Sequence, residues 1–276
     1  MTISFDRAVD FYDATRGFAE GVNEQIRDAI INYTGASKTS RFLELGIGTG
    51  RIAIPFIRAG YDYTGVDVST AMMARLNQKL SQDEALASYR YHLQPADVTA
   101  LPFSEGSFDL IITVAVLHLL EGWQKALQEA KRVLLKPGGT LVISDNIGQD
   151  FMSEGLSPLK LAQKKWSEIH AELENKAEYK RWEGWIPEEK IGAYLEELGA
   201  TVQKVTLVKY TNPELSLRDA VTRITARNYS ADWETPEEIH REASARLEKW
   251  LEEYPEPDRK ISLPEEFNAI IAKWSK

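Results

Sequence analysis

LELGIGTGR (residues 43–51) joins a predicted strand to a predicted helix and decides the fold class. The strand is the short apolar run 41–45, and the helix is the segment 51–59, which stops at Gly60. Glycines at 46, 48 and 50 remove side chains where a ligand approaches the backbone, and the start of the next helix offers unpaired N–H donors. The loop therefore predicts a ligand site, although tight turns between strand and helix also use glycine for structure alone.

After this loop, strand-like and helix-like segments alternate along the chain. Further predicted strands cover 61–68, 89–94, 108–116, 140–144, 200–210 and 267–274. Predicted helices cover 69–80, 123–134, 158–180 and 187–198, and two more follow a hydroxyl residue placed three positions before an acid, at 216–219 and 235–238. The alternation predicts an α/β fold with a doubly wound, mostly parallel seven-stranded sheet. In such sheets, ligands bind beyond the carboxyl ends of the strands.

The composition excludes several classes of protein. The 276 residues contain no cysteine, and the four histidines are not paired at helical spacing, so we expect no disulfide and no metal site. A net charge of −9 without a basic stripe disfavours nucleic acid as a partner. The longest apolar run, 110–120, is shorter than the ~20 residues that span a bilayer, and the N-terminus has no apolar signal region. We therefore expect a cytoplasmic protein without a membrane span.

The second half of the chain is richer in helix and tryptophan. Residues 150–186 and 213–256 read as helical insertions, while 1–149, 187–212 and 257–276 read as the α/β core. The insertions hold five of the seven tryptophans, at positions 166, 182, 185, 233 and 250. Aromatic residues here either line a pocket for an apolar or aromatic ligand or form the core of a small helical unit.

Two carboxylates follow predicted strands near the loop. Asp67 lies at the end of the second strand, where a carboxylate accepts hydrogen bonds from a ribose diol, although a helix N-cap is an alternative role. A dinucleotide fingerprint requires a third glycine at position 51, which here is Arg51. The spacing found is instead G-x-G-x-G preceded by Glu44. An NAD(P)-linked oxidoreductase is therefore kept as the alternative enzyme.

This spacing resembles the first motif of class I S-adenosylmethionine-dependent methyltransferases. The similarity continues, in the family's order, through ADV (96–98), LPF (101–103), FDLIITVAVLHLL (108–120) and LKPGGTLVISD (135–145), and so covers about residues 40–147. It is greatest to the small-molecule branch that includes the ubiquinone and menaquinone biosynthesis enzymes. The resemblance implies a Rossmann-like methyltransferase fold with a helical cap formed by the insertions, and S-adenosylmethionine as the cofactor.

The resemblance also implies roles for individual residues. The Gly46–Gly50 loop would pack against the methionine part and ribose, Glu44 would help hold the amino end, and Asp67 would hold the ribose hydroxyls. Asp97 and the Val98 amide would bind adenine, with Met72 along its face unless Met72 is simply core. The remaining predicted cofactor residues are Val68, Val114, Tyr12 and Arg16. Tyr12 and Arg16 share a helix face and would close over the cofactor near its carboxylate, and a surface pair is their alternative role.

His118, after the fourth strand, is the candidate catalytic base or substrate-orienting residue, and a structural histidine bonded to backbone is the alternative. Methyl transfer depends mainly on positioning and needs no base when the acceptor is already nucleophilic. Residues 113–116 read TVAV rather than Asn/Asp-Pro-Pro-Tyr, which disfavours amino groups of bases or glutamine. The sequence thus predicts methyl transfer to a small acceptor, and the alternative from another class is a non-catalytic S-adenosylmethionine-binding protein.

Overall fold

A computed structural model describes residues 5–134, 138–144, 157–174 and 186–274. A seven-stranded sheet runs through it in the order β3-β2-β1-β4-β5-β7-β6. The strands are β1 (Arg41–Leu45), β2 (Asp62–Asp67), β3 (Tyr91–Pro95), β4 (Leu110–Val114), β5 (Thr140–Ser144), β6 (Thr201–Thr211) and β7 (Pro264–Lys273). All neighbouring pairs are parallel except the two that involve β7. The predicted α/β class and mostly parallel sheet are confirmed.

Nine α-helices accompany the sheet in the described residues. They are α1 (Tyr12–Arg16), α2 (Val22–Thr34), α3 (Ala53–Arg58), α4 (Thr70–Ser81), α5 (Trp123–Val133), α6 (Pro158–Leu173), α7 (Glu188–Glu197), α8 (Leu217–Thr225) and α9 (Glu237–Glu252). Every residue of the central strands β4 and β5 is buried, because helices cover both faces of the sheet. One apolar cluster joins one face to α2, α3 and α4, and another joins the opposite face to α5 and α7. This layering leaves the strand ends as the place for a ligand.

Side-chain caps mark the start of three of the nine helices in the described residues, α4, α6 and α8. Ser69 caps α4, its hydroxyl accepting from the Met72 amide, and Ser216 and Asp219 form a reciprocal capping box at α8. The capping box expected at 235–238 is wrong. The backbone of Pro236 is extended (φ −53°, ψ 141°), so α9 begins one residue later and no side chain caps it.

Pro55 lies in the first turn of α3, where a missing backbone donor is tolerated. The predicted last strand begins earlier than expected, at Pro264. The predicted helix 158–180 is confirmed as far as Leu173, and Trp182 and Trp185 lie outside the described residues. None of the helices in the described ranges is long and apolar enough to cross a membrane.

Helices α6, α8 and α9 pack on one another around their own apolar cluster, which we call the helical unit. Trp166 is fully buried in it, and its indole N–H donates to Asp232 Oδ1 at 2.9 Å. The rings of His170 and His240 lie 4.6 and 5.3 Å from the Trp166 ring. Trp166 is therefore part of the unit's core, which is the structural role considered for the insertion tryptophans.

His240 should make the helical unit sensitive to acid. Burial lowers the pKa of His240, and the positive charge of Arg227 lowers it further. The negative charges of Asp232 and Glu237 raise the pKa, but their effect is smaller than that of burial, so the neutral ring is favoured in the folded state. As the pH falls, the unfolded chain therefore binds protons more readily than the folded chain. The stability that the neutral ring contributes is fully present above the unfolded pKa of about 6.5 and is lost as the pH falls below it. We expect urea unfolding to show a smaller loss of stability between pH 7 and 5 in His240→Gln than in the wild type. Equal losses would contradict this.

Candidate cofactor site

The glycine loop connects β1 to α3 at the carboxyl end of the sheet. Gly46, Gly48 and Gly50 all have positive φ, at 72°, 54° and 82°. At Gly46, an added Cβ would lie 2.4 Å from Val116 Cγ2, so the position excludes a side chain both by conformation and by space. The Gly46 amide donates to the Val66 carbonyl at 2.9 Å, which ties the loop to β2. The loop thus presents backbone to the crevice.

Asp67 is held by main-chain donors on both of its oxygens. The amides of Gly48 and Ser69 donate to Oδ2 and Oδ1, each at 2.8 Å. Burial raises the pKa of the carboxyl, while these amides oppose the shift. Because Ser69 is the cap of α4, the alternative role of Asp67 as that cap is excluded. A carboxylate offers about four acceptor positions, so Asp67 keeps capacity to accept from a ligand.

Asp97 lies at the neighbouring strand tip. Asp67 is in register with Pro95 of β3, and the Ala96 amide donates to the Asp67 carbonyl at 3.0 Å. The Asp97 side chain is exposed, and its Oδ1 accepts from the amide and hydroxyl of Thr99, both at 2.8 Å. The structure therefore brings Asp67 and Asp97 to adjacent strand ends, on the edge that carries the glycine loop.

Glu44 precedes the loop and is buried, with 3% of its surface exposed. Its Oε2 accepts from the Tyr63 hydroxyl at 2.8 Å. Burial raises the pKa of the carboxyl to about 8, and the charge of Asp67 adds to this, while Tyr63 and the charge of Arg51 oppose it. Burial likewise raises the pKa of Tyr63. Burial therefore favours the protonated form of the Glu44 carboxyl, next to the glycine loop.

Residues 5–18, which we call the N-terminal strap, lie on this site. Asp13 accepts from the Thr49 hydroxyl at 2.6 Å and pairs with Lys79 Nζ at 2.7 Å. The Ser69 hydroxyl donates to Asp6 Oδ1 at 2.5 Å. The strap is thus fixed both to the glycine loop and to the start of α4.

The other side of the strap contacts the helical unit. Arg16 lies over the Tyr229 ring, with its guanidinium carbon 4.3 Å from the centroid, and Nη2 donates to the Asn228 carbonyl at 3.3 Å. Phe5 lies between Tyr12 and Trp233, at ring distances of 6.1 and 5.0 Å. Tyr12 and Arg16 lie on one short helix, as expected, and their role toward a cofactor stays a prediction.

The remaining predicted residues are spread around the same strand ends. Met72 and Val98 are buried, and Val68 is 39% exposed beside Asp67. Val114 ends β4 and is followed by Ala115, a non-glycine residue at φ 57°, a strained conformation of the kind found at functional sites. His118 lies in the short turn Leu117–Leu119 just beyond and is half-buried.

Two residues of this region were missed in the sequence. Gly65, in the middle of β2, packs so closely on the glycine loop that an added Cβ would lie 2.0 Å from Ile47 Cδ1. A glycine inside a strand is the signal that could have revealed this approach. Tyr63, the partner of Glu44, had no signal, because a tyrosine in a buried strand is ordinary.

The donor and acceptor set fits a cationic nucleoside ligand. Three acids, Glu44, Asp67 and Asp97, lie around a loop whose three glycines expose its backbone, which suits a ligand with a positive sulfur, an ammonium group and a ribose diol. In the parts of the chain that the structure describes, no group of three metal-ligating side chains comes together.

Comparison with known proteins agrees with this fit. Residues 43–143 match the family model described as "Methyltransferase domain". Demethylmenaquinone methyltransferase from Renibacterium salmoninarum is 31% identical over 142 residues, which are 51% of this chain and 56% of that protein. Fusarielin synthase FSL1 from Gibberella zeae is 33% identical over 120 residues, 42% of this chain and 4% of that protein. The chain thus spans about half the length of the first relative and a small segment of the second.

A solved structure shares the fold over nearly the whole chain. Phosphoethanolamine N-methyltransferase 2 from Haemonchus contortus, in complex with phosphomonomethylethanolamine and S-adenosylhomocysteine, has a TM-score of 0.56 and 17% identity. The match covers 98% of this chain and 58% of that one. With the family model and the relatives, it confirms the predicted Rossmann-like methyltransferase fold. Residues 43–143 therefore match the methyltransferase domain family, and in sequence and fold the chain is similar to the class I S-adenosylmethionine-dependent methyltransferases.

Proposed function

We propose that the protein transfers a methyl group from S-adenosylmethionine to a small acceptor. The observation that carries this proposal is Asp67, held at 2.8 Å by the amides of both Gly48 and Ser69 at the edge of the glycine loop. The two amides fix the carboxylate in one orientation before any ligand binds. Preorganised acceptors of this kind suit a ribose diol, and the adjacent Asp97 suits an adenine amino group.

The chain's own residues act mainly by positioning. The cofactor supplies an activated methyl group on a sulfonium, and transfer is an in-line displacement that needs the acceptor atom behind that methyl group. The glycine loop and Asp67 would hold the nucleoside, and Glu44 would hold the amino end. The strap, which is bonded to Thr49 and Ser69, would cover both ends of the cofactor. His118 would orient the acceptor or take its proton.

The dinucleotide alternative is less well supported. Arg51, in place of the third fingerprint glycine, donates from Nη1 to the Arg16 carbonyl at 2.7 Å and lies over the Phe18 ring. In a dinucleotide fold, Arg51 would crowd the position that the pyrophosphate takes at the start of the helix. The sheet also departs from the dinucleotide order, because antiparallel β7 lies between β5 and β6.

The acceptor would enter between the strap and the helical unit. The rings of Phe5, Tyr12 and Trp233 meet there, which favours an apolar or aromatic molecule. The relatives named above point to different acceptors, and the quinone methyltransferase among them agrees with an aromatic one. The helical unit, with residues 150–186 and 213–256, would act as the cap, and the net charge of −9 disfavours nucleic acid.

Calorimetry should separate the two cofactors. We expect S-adenosylmethionine and S-adenosylhomocysteine to bind with micromolar or tighter affinity, and NAD and NADP to show no heat of binding at the same concentrations. The reason is that the site offers acids to a cation and Arg51 obstructs a pyrophosphate. Binding of NAD with equal affinity would overturn the proposal.

Product formation distinguishes an enzyme from a non-catalytic binding protein. We expect labelled methyl transfer from S-adenosylmethionine to at least one member of a panel of small hydroxylated aromatic compounds, detected together with S-adenosylhomocysteine. His118→Gln should lower kcat at neutral pH and leave cofactor affinity within about twofold, because His118 follows β4, which β1 separates from the β2 strand that carries Asp67. Cofactor binding without transfer to any acceptor would favour the non-catalytic alternative.

A further inference from the structure

Glu44, which would hold the amino end of the cofactor, forms a buried pair with Tyr63. Glu44 is 3% exposed and Tyr63 is fully buried. Within the described residues, the only side chain that hydrogen-bonds to the Glu44 carboxyl is Tyr63, at 2.8 Å, and no cation lies within ion-pair distance. A buried carboxylate without an ion pair is strongly disfavoured, and the usual outcome is that the group stays protonated.

The charged groups that face Glu44 do not compensate for this burial. Arg51 acts on it favourably but is engaged with the Arg16 carbonyl and the Phe18 ring, and Asp67 acts on it unfavourably. The pKa of Glu44, at about 8, agrees with a neutral carboxyl at pH 7. Glu44 lies two residues before the glycine loop, and under the proposed function it would face the amino end of the cofactor.

We infer that Glu44 and Tyr63 form a proton-coupled receptor for the positive charge of the cofactor, so that cofactor binding expels one proton from Glu44. The inference rests on the proposed function and adds the regulation of that same site. Before binding, the proton keeps the buried carboxyl neutral. When the cation arrives, the ionised carboxylate gains a partner of opposite charge, the proton leaves to solvent, and Tyr63 continues to donate to the oxygen that it already holds.

Tyr63 is then a positioning residue that acts through Glu44. Its hydroxyl favours the ionised carboxylate and so lowers the cost of losing the proton. In Tyr63→Phe, Glu44 should still release a proton when the cofactor binds. Because the ionised carboxylate has lost its donor, the rise of cofactor affinity with pH should move to higher pH, and binding at pH 7 should weaken several-fold.

Calorimetry in two buffers of different ionisation enthalpy tests the inference on the full chain. At pH 6.5, where the ammonium of S-adenosylmethionine is intact, we expect the wild type to release about one proton per cofactor bound. S-adenosylhomocysteine, which keeps the ammonium, should also release a proton, and the neutral compound 5′-methylthioadenosine should not. Affinity for S-adenosylmethionine should rise nearly tenfold per pH unit between pH 6 and 7.

Glu44→Gln is the matched control, because it keeps the size of the side chain and an acceptor for Tyr63 but has no proton to lose. It should bind S-adenosylmethionine without proton release and without the rise in affinity between pH 6 and 7. Binding to the wild type with no proton release, or equal release with 5′-methylthioadenosine or with Glu44→Gln, would overturn the inference and leave the proposed function intact. Absence of any cofactor binding would overturn the proposed function and, with it, this inference.

Discussion

Asp67→Ala should weaken S-adenosylmethionine binding roughly 100- to 10,000-fold, because it removes two charge-assisted hydrogen bonds to the ribose hydroxyls at about 1.5–3 kcal/mol each. The same change deprives the amides of Gly48 and Ser69 of their acceptor. Asp67→Asn, which keeps one acceptor oxygen and loses the charge, should fall between the alanine variant and the wild type. Titration calorimetry with each variant measures the effect.

The chain offers a matched control for Asp67 on the same strand. Asp62 begins β2, is exposed, and lies at the opposite end of the strand from the site. Asp62→Ala should therefore leave cofactor affinity within about twofold of the wild type, since exposed substitutions away from special features have small effects. An Asp67→Ala protein that folds and binds S-adenosylmethionine as tightly as the wild type would remove Asp67 from the site and leave the proposed function without its main support.

The parts of the site near each other in sequence were predictable. A short apolar run, three alternating glycines and an acid at the end of the next strand follow from the demands of a parallel sheet and a βα turn. Because parallel strands end at one edge, placing Asp67 and Asp97 on successive strands was enough to predict that they lie at neighbouring strand ends. The seven-stranded sheet followed from the same reasoning.

The contacts made across long stretches of sequence were not predictable. Arg16 donates to the carbonyl of Asn228, 212 positions away, and no local pattern links a helix near the N-terminus to a helical unit in the second half. The sequence also does not reveal which tryptophans of the insertions are buried. Trp166 lies in the core of the helical unit, whereas Trp233 contacts Phe5 of the strap. The packing of α6 against α8 and α9 decides this difference, and no local pattern predicts that packing.

Gly65→Ala should abolish detectable cofactor binding at micromolar concentrations, although Gly65 has no predicted contact with the cofactor. Its backbone conformation accepts alanine, so the effect is steric. The new Cβ would lie 2.0 Å from Ile47 Cδ1 and 2.9 Å from Ile47 Cβ and Cγ1, contacts that real structures do not show. Ile47 is fixed within the glycine loop by its amide, which donates to the Val66 carbonyl at 3.0 Å, so relief of the clash must move the loop.

Two further variants separate loop displacement from general destabilisation. Overpacking of a core typically costs about 1–3 kcal/mol of folding stability, and Gly65→Ala should lose that much in urea unfolding. In the double variant Ile47→Ala/Gly65→Ala, the Cδ1 and Cγ1 atoms are absent and only the 2.9 Å approach to the Cβ of residue 47 remains, which a small shift relieves, so cofactor affinity should recover by at least about tenfold. Gly192→Ala in α7, where the nearest atom to an added Cβ is Val202 Cγ1 at 3.8 Å, should keep wild-type affinity and lose no stability. If Gly65→Ala binds S-adenosylmethionine normally, or if the double variant binds no better than the single one, then the close packing of β2 on Ile47 does not set the shape of the glycine loop.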